Sequence, residues 1–237
     1  MKSGVFVRIS GIKFNNIGII VREEFQEKKD HQELLIIRTK DVRGLAGEIA
    51  SIIYPNSINE KIAITGTNGK TTTTRLIAHI VKNNNYKVGF TTSDGIYIQN
   101  HMMEKGDTTG PISAEYVLKD PNVEFAVLET ARGGILRSGL GFKVCDIGVI
   151  TNIQEDHLGL SDIHDLKDLA RVKSVVVESV KKDGWAVLNG EDHHCLEIAR
   201  SLSCNVALFS LDENCPAIIE HCAEGGIAAI YLSLIHI

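Results

Sequence analysis

The chain has 237 residues, 43% hydrophobic and 23% charged, the ordinary balance of a soluble globular protein with one large domain or a domain plus a smaller appendage. A net charge of −5 and a pI near 6.0 argue against general nucleic-acid binding, which leaves a basic footprint, but not against small anionic ligands held by backbone N–H groups and a few lysines. No apolar run approaches the ~20 residues of a membrane helix. The start, "MKSGVFVRISGIKF", is broken by Arg8 and lacks the apolar core of a signal peptide.

Residues 1 to about 60 carry the weakest pattern. "VFVRISGI" and "NIGIIVRE" read as short strands, "EEFQEKKDHQE" as a charged connection, and "DVRGLAGEIASIIYP" as a helix stopped by Pro55. From Lys61 the order becomes regular. Strand "KIAIT" leads through a loop into helix "TTTTRLIAHIVKNN". Strand "KVGFT", a turn and ribbon around Asp94-Gly95, and helix "PISAEYVLKD" follow, with Pro111 suited to a first helical position. Then come strand "EFAVLE", a Gly-rich turn "ARGG", strand "CDIGVIT" and a long helix "DLKDLARVKSVVVESVKK". Strand "WAVLN", helix "EDHHCLEIARSL" and strand "NVALFS" complete the series. Apolar β-runs alternating with amphipathic helices predict an α/β domain, a P-loop-type, mostly parallel sheet flanked by helices. In such sheets ligands bind outside the carboxyl ends of the strands.

"KIAITGTNGKTTTTRL" carries the first chemistry. Its Gly69-Lys70-Thr71 ends like a phosphate loop, but Ile64 stands where the G-x-x-x-x-G-K-[ST] pattern wants glycine. Gly66 and Gly69 let the backbone approach an anion, Lys70 would add a cation at the β/γ-phosphates, and the Thr71 hydroxyl would reach Mg²⁺. The plainer alternative is a helix start with a convenient lysine. Two more strands end in polar clusters at the same edge: Glu129 after "FAVL", and Asn152, Asp156 and His157 in "VITNIQEDHLG". Taken singly, Glu129 could be a helix cap and Asp156-His157 a turn. Three successive strand ends bearing Lys/Thr, Glu and Asn/Asp/His make the parts list for Mg-nucleotide chemistry. Lys173 lies close to the apolar face of its helix, where the alternative is a snorkelling lysine. Asn189 ends a further strand, and alone it is an ordinary turn residue. The five cysteines, Cys145, Cys195, Cys204, Cys215 and Cys222, are never spaced C-x-x-C and read as reduced thiols of a cytoplasmic protein. A zinc site from His193, His194 and Cys195 is disfavoured because the paired ligand spacing is missing.

"ITGTNGKTTT", "LETARGGILRSGLG", "VITNIQEDHLG", "LARVK" and "VLNGED", in this order, resemble the central ATP-binding domain of the Mur ligase superfamily. That superfamily forms amide bonds with ATP and includes folylpolyglutamate synthetase. Its phosphate loop is typically G-T-[NG]-G-K-[ST], so the absence of glycine at position 64 is normal there. Within it, "DGIYI", "KGDTTGP", "LETARGGILR" and "DLARVKSVVVE" are most similar to the Mur-like half of cyanophycin synthetases. The resemblance covers roughly residues 42 to 230.

The resemblance implies roles. Gly66, Thr67, Asn68, Gly69, Lys70, Thr71 and Thr72 would hold the ATP phosphates. Thr71 and Glu129 would also hold one Mg²⁺ ion, and His157 a second. Lys173 matches the lysine that many members carry as a carbamate associated with the metals. Asn152 would lie near the metals and Asn189 on the adenine side of ATP. Lys70, Glu129, His157 and Lys173 form the implied catalytic set. The implied reaction makes an acyl phosphate from a carboxylate, which an amine then attacks. The implied partners are ATP, an acidic, poly-aspartate-like acceptor and an amino acid, arginine, with Arg132 and Arg137 meeting acceptor carboxylates; their alternative is a pair of loop cations. A homo-oligomer is left open, and neither a nucleic acid nor a membrane is implied.

The expected organisation is an N-terminal segment or linker at 1–60, the central ATP-binding domain at 61–231, and a tail at 232–237, "LSLIHI", that does not continue the family pattern. Cyanophycin synthetases carry an ATP-grasp region earlier in the chain and Mur ligases a C-terminal domain, and neither is matched here. A fragment that binds Mg-ATP weakly and ligates slowly or not at all is therefore expected. Two alternatives stand beside it: another Mur-type peptide or folylpolyglutamate-like ligase, and a catalytically silent nucleotide-binding subunit.

Overall fold

The computed structural model describes residues 5–7, 18–22, 35–39, 58–155 and 165–231. The chain divides into two compact units, Met1–Asn56 and Ser57–Ile237. In the first, strands β1 (Val5–Val7) and β2 (Gly18–Arg22) pair antiparallel, and β2 pairs parallel with β3 (Leu35–Thr39). The first two are the expected strands, and β3 was not expected. The helix expected up to Pro55 and the charged connection lie outside the described residues.

The second unit carries the expected α/β architecture. Among its described residues are strands β4 (Glu60–Thr65), β5 (Val88–Thr92), β6 (Gly95–Ile98), β7 (His101–Lys105), β8 (Phe125–Glu129), β9 (Cys145–Ile150), β10 (Val180–Asn189), β11 (Asn205–Ser210) and β12 (Ile227–Ile230). They lie side by side in the order β12-β11-β10-β9-β4-β8-β5-β6-β7. Every pairing from β12 to β5 is parallel, and β6 and β7 add an antiparallel ribbon at one edge. The helices are α1 (Lys70–Asn83), α2 (Pro111–Leu118), α3 (Arg132–Ser138), α4 (Leu166–Glu178), α5 (His193–Ala199) and α6 (Pro216–Ala223).

Strand β4 is central, and its side chains alternate between the two faces of the sheet. Ile62 and Ile64 pack with Ala78 of α1, Val88, Val127 and Val149, whereas Ala63 packs with Val176 of α4, Ile135 of α3 and Val180. Fully burying each large aliphatic chain contributes roughly 1.5–3 kcal/mol. Helix α4 comes close to the sheet because β9 carries Gly148: a Cβ there would stand 2.8 Å from Val180 Cγ2 and 3.1 Å from the Val176 carbonyl oxygen.

The structure corrects three element boundaries. "ARGG" is the start of α3, not a turn. The long helix stops at Glu178, and β10 begins at Val180, with an irregular register between Val180 and Trp185. Helix α6 and strand β12, which the sequence pattern did not single out, extend the sheet beyond β11.

The chain reverses its direction of travel across the sheet at β4. Strand β8 lies on one side of it and β9 on the other, which opens a crevice beyond their carboxyl ends. Thr65, Glu129 and Ile150 end these three strands.

Candidate active site

The loop after β4 turns because its glycines allow it. Gly66 has φ 147°, and a Cβ there would stand 1.8 Å from Thr151 Oγ1, so no other residue fits without displacing the β9 loop. Gly69, at φ 83°, is the left-handed residue that opens α1. The Thr73 N–H donates to the Gly69 carbonyl at 2.9 Å, no side chain caps the helix, and its first turn contains no acidic residue. An uncapped helix start of this kind concentrates N–H groups and positive potential, which suits an anion.

The loop is held by the strand beside it. Thr67 N–H donates to the Asn152 carbonyl at 2.9 Å and Asn68 N–H to Asn152 Oδ1 at 3.0 Å. Thr151 Oγ1 donates to the Asn68 carbonyl at 2.6 Å. Asn189 Nδ2 in turn donates to the Thr151 carbonyl at 3.2 Å, and Asp192 Oδ2 accepts from Ile153 N–H at 2.6 Å while its other oxygen caps α5. Asn152 and Asn189 therefore join the Gly66–Thr71 loop through one continuous set of hydrogen bonds.

Lys70 Nζ folds back to donate to the carbonyls of Gly66 at 3.0 Å and Thr67 at 2.9 Å. Thr71 Oγ1 lies 2.9 and 3.1 Å from the two Glu129 oxygens. Ser93, in the turn after β5, completes this corner: its N–H donates to Glu129 Oε2 at 3.2 Å and its hydroxyl lies 3.1 Å from Thr71 Oγ1. Glu129 is only 3% exposed. Burial raises its carboxyl above the ordinary range; the Thr71 hydroxyl, the Ser93 N–H and the Lys70 charge pull it down, and Asp107 adds to the rise. A desolvated carboxylate grouped with two hydroxyl oxygens is a hard-oxygen donor set, the kind Mg²⁺ takes while keeping several waters.

Lys173 is buried, 2% exposed, and Nζ donates to Thr67 Oγ1 at 2.9 Å, so it is not a snorkelling surface lysine. Thr67 Oγ1 also donates to the Gln154 carbonyl and accepts from its N–H, both at 3.0 Å. Thr72 lies in the first turn of α1. Arg132 opens α3, and Arg137 sits at its exposed end. Arg137 lines a cavity of about 240 Å³ together with Asp107, Thr109, Ser113 and Ser138. Asp156 and His157 lie outside the described residues.

Among the described residues, His193, His194 and Cys195 included, no group of three or more His, Cys, Asp and Glu is placed to hold a metal. Cys195 is fully buried, and burial pushes its thiol up to about 12. Ser93 was missed by the sequence reading, since a lone serine in a β-turn has no spacing signature. No helix among the described residues is long and apolar enough to cross a membrane.

The fold and this corner define a class. The family model for the Mur ligase middle domain matches residues 64–226, and the chain belongs to that family. Its curated relatives include the cyanophycin synthetase of Geminocystis herdmanii, 50% identical over 192 residues that cover 80% of this chain and 22% of that protein. Another is the cyanophycin synthetase of Synechocystis sp., 49% identical over 194 residues, covering 81% and 22%. The chain thus spans about a fifth of the length of these relatives. A solved UDP-N-acetylmuramoyl-L-alanyl-D-glutamate–2,6-diaminopimelate ligase superposes with a TM-score of 0.57 at 25% identity, over 80% of this chain and 40% of that one.

Proposed function

We propose that the chain is the nucleotide-binding core of an ATP-dependent carboxylate–amine ligase of cyanophycin synthetase type, joining arginine to a side-chain carboxylate of a poly-aspartate-like acceptor. The observation that carries the reading is the meeting of Thr71, Ser93 and the desolvated Glu129 beside an uncapped helix start. Half-identity to cyanophycin synthetases supports this ligase over a folylpolyglutamate-like one.

In this reading the amides of Gly66 to Thr72 cradle the ATP phosphates, and Asn189 lies toward the adenine. Lys70 exchanges its two loop carbonyls for phosphate oxygens and offsets the charge that builds as the γ-phosphoryl passes to the acceptor carboxylate. The amine then attacks the acyl phosphate and phosphate leaves. Thr71, Glu129 and Ser93 would hold Mg²⁺, with His157 and a carbamylated Lys173 serving a second ion; bound there, Mg²⁺ supplies electrostatic stabilisation of the phosphoryl oxygens. Arg137, at the cavity, and Arg132 would orient the acidic acceptor by charge-assisted hydrogen bonds. The central domain is assigned to 61–231, with 1–60 as a segment before it and 232–237 as a tail outside the family pattern.

Phosphate release from ATP that needs both poly-aspartate and arginine is the expected outcome. Release supported by a folate or muramyl-peptide acceptor would point to another Mur-type ligase. Nucleotide binding with no acceptor-dependent release would point to the silent subunit. Arg137→Ala is expected to raise the acceptor KM roughly tenfold with the ATP KM unchanged; an unchanged acceptor KM would dismiss its substrate role.

A further inference from the structure

Ser93 reaches Glu129 and Thr71 from the two-residue turn of the β5–β6 hairpin, which the antiparallel pair Thr92–Gly95 closes and which side-chain contacts fix further. Its neighbour Asp94 is the anchor. Asp94 Oδ1 accepts from Thr92 Oγ1 at 2.5 Å, and Oδ2 accepts from Tyr97 Oη at 2.7 Å and Arg75 Nη2 at 2.5 Å. The Asp94 carbonyl accepts from Gly106 N–H at 3.0 Å. Tyr97 is itself immobilised. Its ring stacks on Phe90 with centroids 4.7 Å apart and planes 7° from parallel, its hydroxyl accepts from Arg75 at 3.1 Å, and the Arg75 guanidinium lies 5.1 Å over its ring. Gly95 lets the turn close, since a Cβ there would stand 2.5 Å from the Glu104 carbonyl oxygen.

Arg75 lies four residues after Thr71, one turn along α1. The network therefore ties the helix that presents Thr71 to the turn that presents Ser93. Arg75 and Asp94 are 45% and 48% exposed, and an exposed ion pair contributes little to global stability. Its consequence is geometric.

We infer that Arg75, Asp94 and Tyr97 are positioning residues that hold the Ser93 N–H and hydroxyl at the Glu129–Thr71 corner and so set its affinity for the nucleotide-associated divalent cation. The inference rests on the proposed role of that corner. Outer partners of a metal site typically change metal affinity 10–100-fold when removed. Because these residues act on the corner and not on the phosphate loop itself, their loss is felt only when the cation is present.

The test measures ADP affinity of the full chain by calorimetry, with saturating Mg²⁺ and again with EDTA. Asp94→Asn keeps the size of the side chain, but its amide cannot accept from Thr92, Tyr97 and Arg75 together. It is expected to cut the Mg²⁺-dependent gain in ADP affinity about tenfold while the affinity in EDTA stays within about twofold of wild type. Tyr97→Phe, which keeps the ring stack and so guards against a folding failure in the first variant, is expected to move the same way by a smaller factor. Both are expected to melt close to wild type. A full Mg²⁺ gain in both variants, or an equal loss with and without Mg²⁺, would overturn the inference. A wild-type chain whose ADP affinity ignores Mg²⁺ would instead overturn the Thr71–Glu129 reading, and the positioning role would fall with it.

Discussion

Glu129 and Asp146 are two shielded carboxylates on the strands that flank β4, the first at the carboxyl end of β8 and the second near the amino end of β9. Asp146, near the start of β9, accepts from Lys61 N–H at 2.6 Å and pairs with Lys181 Nζ at 2.8 Å. Burial pushes its carboxyl up, but the Lys181 and Lys61 hydrogen bonds outweigh that and hold it below the ordinary range. Glu129, at the end of β8, receives only a hydroxyl and a backbone N–H, and burial wins. Under the proposed function, the difference separates a structural acid, neutralised by the chain's own lysine, from one that a bound cation would neutralise.

The comparison is most severely tested by Glu129→Gln. It is expected to remove the Mg²⁺-dependent part of ADP affinity by roughly 100-fold, the upper end for metal-site changes, as read by calorimetry with and without EDTA. An unchanged Mg²⁺ response would make Glu129 as structural as Asp146. Next in size, Asp146→Ala is expected to cost about 1–2 kcal/mol in urea unfolding, chiefly by leaving Lys61 N–H without its acceptor, with ADP affinity unchanged. A fall in ADP affinity there would erase the distinction between the two carboxylates.

The smallest effect is a pair of pH trends. Asp146 is lowered in the folded chain, so its contribution is present above the ordinary carboxylate range and disappears as pH falls through its folded value. Glu129 is raised, so ionising it costs stability as pH rises through its folded value. In ligand-free melts, Glu129→Gln should therefore stand above wild type at neutral pH and Asp146→Ala below it. The Glu129→Gln gap should close in acid, and the Asp146→Ala gap should narrow as its charge-dependent part is lost. A Glu129→Gln gap that widens in acid would contradict the assignment.

Much of this was legible from sequence where a residue type and an element boundary coincide. Strand "IAIT" running into Gly66–Thr71 and a helix locates the candidate phosphate loop, and Glu129 at a strand end is the carboxylate that meets Thr71. Other features depend on neighbours that no local pattern announces. Gly133 and Gly134 have poor helix propensity, so "ARGG" read as a turn. It is helical because Ile135 is buried against Ala63 and Val176, and because Gly134 lies where a Cβ would meet the Thr109 carbonyl oxygen at 3.0 Å. The end of α4 was overrun because "VESVKK" continues a helical pattern, whereas Val180 already pairs with Cys145 in the sheet. Ser93 was invisible for the same reason: its role comes from Glu129 and Thr71, 36 and 22 residues away.

The central place of β4 has a consequence for how the protein is made. Its two partners arrive late and at different times: β8 begins at Phe125 and β9 at Cys145, more than sixty and eighty residues after β4 begins. Until β9 docks, one edge of β4 is bare, and the phosphate loop lacks every hydrogen bond it receives from Thr151, Asn152 and Gln154. A nascent chain that has not yet reached Gln154 therefore holds the motif but not the hydrogen bonds that support it. Such distant pairings close slowly and leave a strand edge open to other chains meanwhile, so a ligand that grips the finished loop would favour the chains that have completed this closure.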